Sequence, residues 1–329
     1  EVIAGYSKGY GYQPGNPFTE ADHAWNAVQI GAEWHLIDVT WAAGSIKKTL
    51  FGARFVTEFN NDFFFLPPKE FVITHLPEVP MWQMLNNPVP IKVFSASNEK
   101  IYAHLKTTNP TNYNSGDTVN NFFSMKVPER SIKYGAMALE FNPQNIVPLA
   151  LSVIVPLKYK LENTYFTFYD KTVRQTDSII GMAANAVELL KNNKSSKESV
   201  KELVAINLIN GYEVLSELYF IKSELIKKKE KTSANFDSLL VTSKPTIESL
   251  EKSVLLNRET KNTKQFEKTD AALCNTYKTY LDQYSAFLSK ETDEKKKKNI
   301  QKEIIETNRS AKKIIISNNS CFGLVKTLK

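Results

Sequence analysis

The sequence predicts an α+β protein, with an antiparallel sheet near its start and a mostly α-helical array or bundle after it. Three observations carry that reading. Residues 1–41 run in short apolar–polar alternations rich in Val, Ile, Tyr and Trp, punctuated by Gly, Pro and Asn. From about residue 91 the apolar positions recur instead at three- and four-residue steps. Charge divides at the same place: residues 1–88 carry 5 Lys and Arg against 9 Asp and Glu, and the remainder 37 against 26. The change falls at Pro88-Val89-Pro90. It suggests a β-rich domain over 1–88, a connecting, mostly helical region over 89–165, and a helical bundle or coiled-coil-like domain over 166–329.

Each element has its local reason. Residues 1–8 alternate as a strand, and GYGYQPGNPFTEAD (9–22) is a loop by its density of Gly, Pro and Asn. Strands over 23–30 and 33–41 flank Gly31-Ala32, whose glycine at the first central position suits a type II′ hairpin turn. An aromatic cluster, FNNDFFFLPP (59–68), precedes a short helix starting near Pro68. GAMALEFNPQN (135–145) reads as the end of a helical hairpin and resembles the last part of a tetratricopeptide-type unit, with no second copy near 34 residues away. Ile179, Met182, Ala183, Ala186, Val187 and Leu190 share one helical face. So do Leu273, Tyr277, Tyr280, Tyr284 and Phe287, and then Ile300, Ile304, Ala311 and Ile315. A long helix fills 197–228. These stripes predict an antiparallel bundle, with the tyrosines as core.

Composition narrows the function. Hydrophobic residues make up 42% and charged residues 23%, the balance of an ordinary globular chain. The net charge of +7 comes from lysines interleaved with glutamates, as in KKKEK and ETDEKKKK, which makes solvated helix surface rather than a nucleic-acid face. The most apolar stretch, 146–157, holds two prolines and is too short to span a bilayer. Two cysteines, Cys274 and Cys321, are too few for a disulfide framework and read as free, small core residues. No HExxH, paired CxxC or Walker sequence appears, so no metal, nucleotide or other cofactor is expected. Residue 1 is Glu inside a strand-like run, so the sequence reads as a fragment or processed form, and targeting signals upstream stay open.

The hairpin carries chemistry. With Ile30 facing Glu33, Asp38 is expected opposite Trp25 and His23 opposite Thr40, so all four point to one face of the sheet. His23 and Asp38 then lie within side-chain reach. A carboxylate beside an imidazole fixes its tautomer and stabilises the imidazolium, leaving the other ring nitrogen free to activate a nucleophile. On spacing alone this pair fits either a structural polar contact or a catalytic dyad. His35 alternates to the opposite face, and His75 and His104 stand alone.

GYSKGYGY…HAWNAVQIGAEWHLIDVTWAAG resembles the core of the transglutaminase-like superfamily, in particular its kyphoscoliosis-peptidase-like branch. The resemblance covers roughly residues 1–88, including the tail FNNDFFFLPPKEFVITHLPEVPMWQML; Ala42 departs from the glycine common after the tryptophan. It implies a papain-like fold with a Cys-His-Asp triad, of which this chain holds the C-terminal part of the sheet domain. His23 would be the base and Asp38 the orienting carboxylate, with Trp25, Thr40, Trp41 and Tyr6 as substrate-site neighbours. The cysteine would sit at a helix N-terminus upstream of Glu1, where helix dipole and imidazolium favour thiolate. Cys274 and Cys321 are poor substitutes, so the chain alone is expected to be inactive. The thiolate would attack an amide or ester, with water giving hydrolysis and an amine giving transamidation. Implied partners are a protein or peptide substrate, cell-wall peptide among the candidates, and a protein partner for the helical domain. Family habit points to a bacterial envelope or extracellular setting. The alternative is a non-catalytic scaffold built on a degenerate domain.

Overall fold

The computed structural model describes residues 1–49, 52–107, 113–195, 198–229, 236–260 and 263–315. The chain opens with β1 (Val2–Ser7), β2 (His23–Ile30), β3 (Glu33–Ile37), a one-turn helix α1 (Val39–Ala42), the ribbon strands β4 (Gly44–Thr49) and β5 (Gly52–Thr57), α2 (Pro68–Phe71) and β6 (His75–Pro77). Helices follow: α3 (Ile91–Ala96), α4 (Asn98–Leu105), α5 (Ser115–Ser124), α6 (Val127–Phe141) and α7 (Val147–Asn163). Then come α8 (Val173–Lys191), α9 (Glu198–Lys229), α10 (Phe236–Glu259), α11 (Thr263–Lys290) and α12 (Glu294–Ile315). The expected α+β class, a sheet domain followed by a helical array, is what forms. Residues Glu1–Ser152 with Lys194–Lys201 make one compact unit, and Val153–Asn193 with Glu202–Lys329 a second. Among the described residues no helix is long and apolar enough to cross a membrane.

In the first unit an antiparallel sheet runs in the order β3-β2-β1-β6. The β2–β3 turn has the expected register, Ile30 on Glu33. Gly31 has φ of 62° while Ala32 keeps a negative φ, the type II′ pattern. The ladder, however, stops at the Asn26–Ile37 pair, which corrects the expected strand over 33–41. Asp38 instead caps α1, its carboxylate accepting the N–H groups of Thr40 and Trp41. A carboxylate in reach of unpaired N–H groups starts a helix more readily than it continues a strand. His23 consequently pairs with Gly5 of β1, not with Thr40.

Alternation along the strands builds two cores. Ile3, Trp25 and Ala27 face Phe71, Met81, Val119 of α5 and Ala138 of α6. Tyr6 and Leu76 face the other way, onto Phe18, Phe94 of α3 and Ile101 of α4. Each fully buried side chain of this size contributes roughly 1.5–3 kcal/mol. Gly5 is required by the first core: a Cβ there would overlap the Trp25 ring and the Leu76 carbonyl oxygen.

A buried polar network ties the α6–α7 connection to the sheet. Asn142 Nδ2 donates to the Tyr6 hydroxyl at 3.0 Å and to the Phe18 carbonyl at 2.8 Å. Asn145 Nδ2 donates to Glu78 Oε1 at 2.7 Å, and the Tyr134 hydroxyl of α6 to Glu78 Oε2 at 2.9 Å. Burial raises the Glu78 carboxyl despite these donors.

The second unit is a helical array. Ala183, Ala186, Val187 and Leu190 are buried on α8, as their spacing predicts, but Met182 is 53% exposed. The inner face runs through Ile180, Ala183 and Val187, and 100° per residue turns Met182 away from it. On α11, Leu273, Tyr277, Tyr280 and Tyr284 are buried with Phe287 packed against them, and on α12 so are Ile300 and Ala311. The side chain of Ile315 lies outside the described residues. Buried tyrosines demand hydroxyl partners, and α10 supplies them: Ser243 meets Tyr284 at 2.5 Å and Thr246 accepts from Tyr280 at 3.4 Å. Cys274 is buried but disulfide-bonded, which corrects the expectation of a free thiol there. Cys321 lies outside the described residues.

All four tryptophans, at 25, 34, 41 and 82, belong to the first unit, so tryptophan fluorescence in urea reads that unit alone. Gly5→Ala is expected to lower its stability by about 1–3 kcal/mol through overpacking against Trp25. Asn145→Ala, which strips the donor from Glu78 Oε1, is expected to cost about 1–3 kcal/mol in the same titration. An unchanged midpoint in either variant contradicts the corresponding contact.

Candidate active site

Small residues on β1 allow two histidines to meet above it. His23 stands on β2 opposite Gly5, and His75 on β6 opposite Ser7. Gly5 and Ser7 share a face of β1, so both imidazoles project to the same side. Their backbones are two strand spacings apart across the sheet and two residues offset along it, roughly 11–12 Å. With nothing larger than a serine between them, the ring centroids close to 5.6 Å.

Asp38 reaches into this gap from the start of α1. Its carboxylate is fully buried, and each oxygen accepts two hydrogen bonds. Oδ1 takes the Thr40 and Trp41 N–H groups at 2.9 and 3.0 Å. Oδ2 takes His23 Nε2 at 2.6 Å and His75 Nε2 at 2.9 Å. That fills the four acceptor positions of a carboxylate. Burial alone would raise the Asp38 pKa, but the hydrogen bonds from His23, His75 and the Trp41 N–H outweigh it and hold the carboxyl well below the usual range.

The two histidines differ in what they leave free. His75 has no exposed surface, and its Nδ1 meets Thr74 Oγ1 at 2.8 Å. Because Nε2 donates to Asp38, Nδ1 of the neutral ring accepts the Thr74 hydroxyl proton. Phe71 stacks on the ring at 4.3 Å, Trp41 packs at 4.4 Å and Trp25 meets it edge-on at 5.1 Å. Burial pushes the His75 pKa below its ordinary value, ahead of the opposing pull of Asp38. The His23 side chain, by contrast, is 16% exposed. Its Nε2 is held by Asp38, and among the described residues Nδ1 has no hydrogen-bond partner. Trp41 and Trp25 flank it at 5.8 and 6.0 Å. Next to Trp41 opens a cavity of about 770 Å³, lined among others by Tyr10, Ile46, Phe55, Phe59 and Glu58.

His23, Asp38 and His75 also form a cluster of three potential metal ligands. Ligand atoms around a tetrahedral zinc at about 2.1 Å would stand roughly 3.4 Å apart. Both nitrogens instead point at Oδ2 at hydrogen-bonding distance, so protons account for these contacts.

Of the residues singled out in the sequence, the structure brings His23, Asp38, Trp25 and Trp41 together, with Thr40 present through its backbone N–H. Tyr6 is not among them: it lies on the opposite face, bonded to Asn142 and Asn145. His35 sits against Phe65 at 5.0 Å, away from His23. His75, expected to stand alone, is the residue that sequence reasoning missed. It is 37 positions from Asp38, and only the β1–β6 pairing carries it there.

No protein-family model and no solved structure matches the chain. Curated relatives do. Kyphoscoliosis peptidase of Mus musculus is 41% identical over 97 residues, 29% of this chain and 14% of the relative. That of Homo sapiens is 40% identical over 94 residues, 28% and 14% of the two chains. The LIM and transglutaminase domain protein ltd-1 of Caenorhabditis elegans is 30% identical over 104 residues, again 28% and 14%. The match thus spans about one seventh of these relatives. They are animal proteins and lend no support to a bacterial setting. The matched segment of this chain is transglutaminase-like, of the branch that kyphoscoliosis peptidase represents.

Proposed function

We propose that His23 and Asp38 are the base and orienting carboxylate of a thiol-dependent acyl-transfer site acting on amide bonds, with the thiol supplied by a segment outside these 329 residues. The observation that carries this reading is the 2.6 Å contact of His23 Nε2 with Asp38, which leaves Nδ1 of a partly exposed side chain for proton exchange. Cys274, held in a disulfide, offers no thiol for the role. The name peptidase borne by the relatives matches cleavage of an amide.

The chemistry follows from the tautomer. With the Nε2 proton donated to Asp38, the Nδ1 lone pair accepts the thiol proton, and the imidazolium is stabilised by the ionised carboxylate. The thiolate adds to the substrate carbonyl. As the tetrahedral adduct collapses, Nδ1–H passes to the departing amine nitrogen, leaving an acyl thioester. Water then gives up a proton to Nδ1 and releases the acid; a primary amine in its place forms a new amide. The cavity beside Trp41 is where the acyl chain would lie.

Labelling the full-length protein with iodoacetamide at pH 6–7 tests the pair. His23→Ala and Asp38→Asn are each expected to slow labelling of the reactive thiol by about 10²–10⁴-fold, the range for loss of a positioned base. Equal rates in both variants would instead favour the scaffold reading.

The protonation states predict an acid limit to stability. Burial lowers the proton affinity of the folded His75 ring, whereas the unfolded ring takes up a proton near pH 6.5. Its contribution is therefore fully present above about pH 6.5 and declines below it. Asp38 adds a second loss below about pH 4, where the unfolded chain binds a proton that the folded one resists. Unfolding midpoints from tryptophan fluorescence should fall from pH 7 to pH 5 and again below pH 4. His75→Gln should flatten the first decline; a flat wild-type profile over pH 5–7 contradicts it.

A further inference from the structure

We propose that His75 is a positioning residue for the His23–Asp38 pair, a buried donor that holds the Asp38 carboxylate in place and competes with His23 for its Oδ2. The inference deepens the acyl-transfer reading and rests on it for its catalytic meaning, although its geometry stands independently.

The contacts form one line: Thr74 Oγ1–H donates to His75 Nδ1, His75 Nε2–H to Asp38 Oδ2, and His23 Nε2–H to the same Oδ2. Two features separate this from ordinary packing. Both ring nitrogens of His75 are committed, and Phe71, Trp41 and Trp25 enclose the ring, so it neither reaches substrate nor exchanges protons with solvent. In addition, the two imidazoles share one oxygen rather than taking one each, because Oδ1 is already occupied by the cap of α1.

Sharing has a direct electrostatic consequence. Electron density that Oδ2 gives to the His75 N–H is withheld from His23, so the imidazolium of His23 is stabilised less than it would be by Asp38 alone. Charged groups nearby are Asp22, immediately before His23, whose Oδ1 accepts the Ser7 N–H at 2.7 Å, and Lys8 and Glu58, which line the cavity beside Trp41. A positive charge on His23 would oppose one on His75 across 5.6 Å.

The test needs neither thiol nor substrate. The chain is labelled with ¹⁵N-histidine, and the four imidazoles are followed by NMR from pH 5 to 8.5. His75→Leu keeps bulk and removes the donor; the His23 pKa is expected to rise by about one unit, tenfold in proton affinity. His75→Gln restores an N–H near the Nε2 position and should return the pKa towards wild type. Should the leucine variant not fold, Thr74→Val serves: it frees Nδ1, and the His23 pKa should shift upward by a smaller amount as the His75 tautomer mixes. An unmoved His23 pKa in folded His75→Leu or in Thr74→Val, or a glutamine variant indistinguishable from leucine, overturns the proposal. The titration can fail while thiol labelling still depends on His23, and can succeed where labelling does not, so the two readings are separable.

Discussion

The site depends on one buried carboxylate. Asp38 has no exposed surface, and taking an ion out of water costs several kcal/mol unless its lone pairs are met. Here four donors meet them: two backbone N–H groups from α1 and two imidazoles from strands on either side of β1. The same atom group thus starts a helix, ends the β2–β3 ladder and joins β2 to β6. Removing any donor leaves a buried charge short of a partner, which is why the arrangement permits little drift.

That rigidity suits a proton-handling role. A base works when its tautomer and direction are set before substrate arrives. Asp38 sets both for His23, and the aromatic rings of Trp25 and Trp41 limit where the imidazole can turn. Exposure is distributed accordingly: the ring that must exchange a proton reaches solvent, and the ring that must not is sealed. The nearby cavity, with Phe55, Phe59 and Ile46 on one side, offers apolar surface beside the polar centre.

The second unit solves a different problem. Its core is built on tyrosines, whose hydroxyls are costly to bury unpaired. α10 presents Thr242, Ser243, Thr246, Ser249 and Ser253 inward, and two of these, Ser243 and Thr246, answer Tyr284 and Tyr280 of α11. The core therefore combines apolar stripes with hydroxyl pairs, which fix the register of the helices more narrowly than aliphatic contact alone.

The sequence by itself determined the α+β class, the two-residue turn at Gly31, the helical stripes and the His23–Asp38 pair, because each rests on periodicity, turn chemistry or a recognisable local string. Even there the reasoning was local. Asp38 met His23 as expected, yet from a helix cap rather than a strand, since the carboxylate satisfied the nearest N–H groups first. Only the tertiary structure decided that Tyr6 faces away, that Met182 lies off its stripe, and that His75 joins Asp38. The last of these depends on β6 pairing with β1 across some seventy residues of intervening chain, with Gly5 leaving room for the Trp25 ring that packs edge-on against His75. Spacing along a chain carries no record of which strands become neighbours, so a contact made through a third strand is invisible until the sheet is assembled.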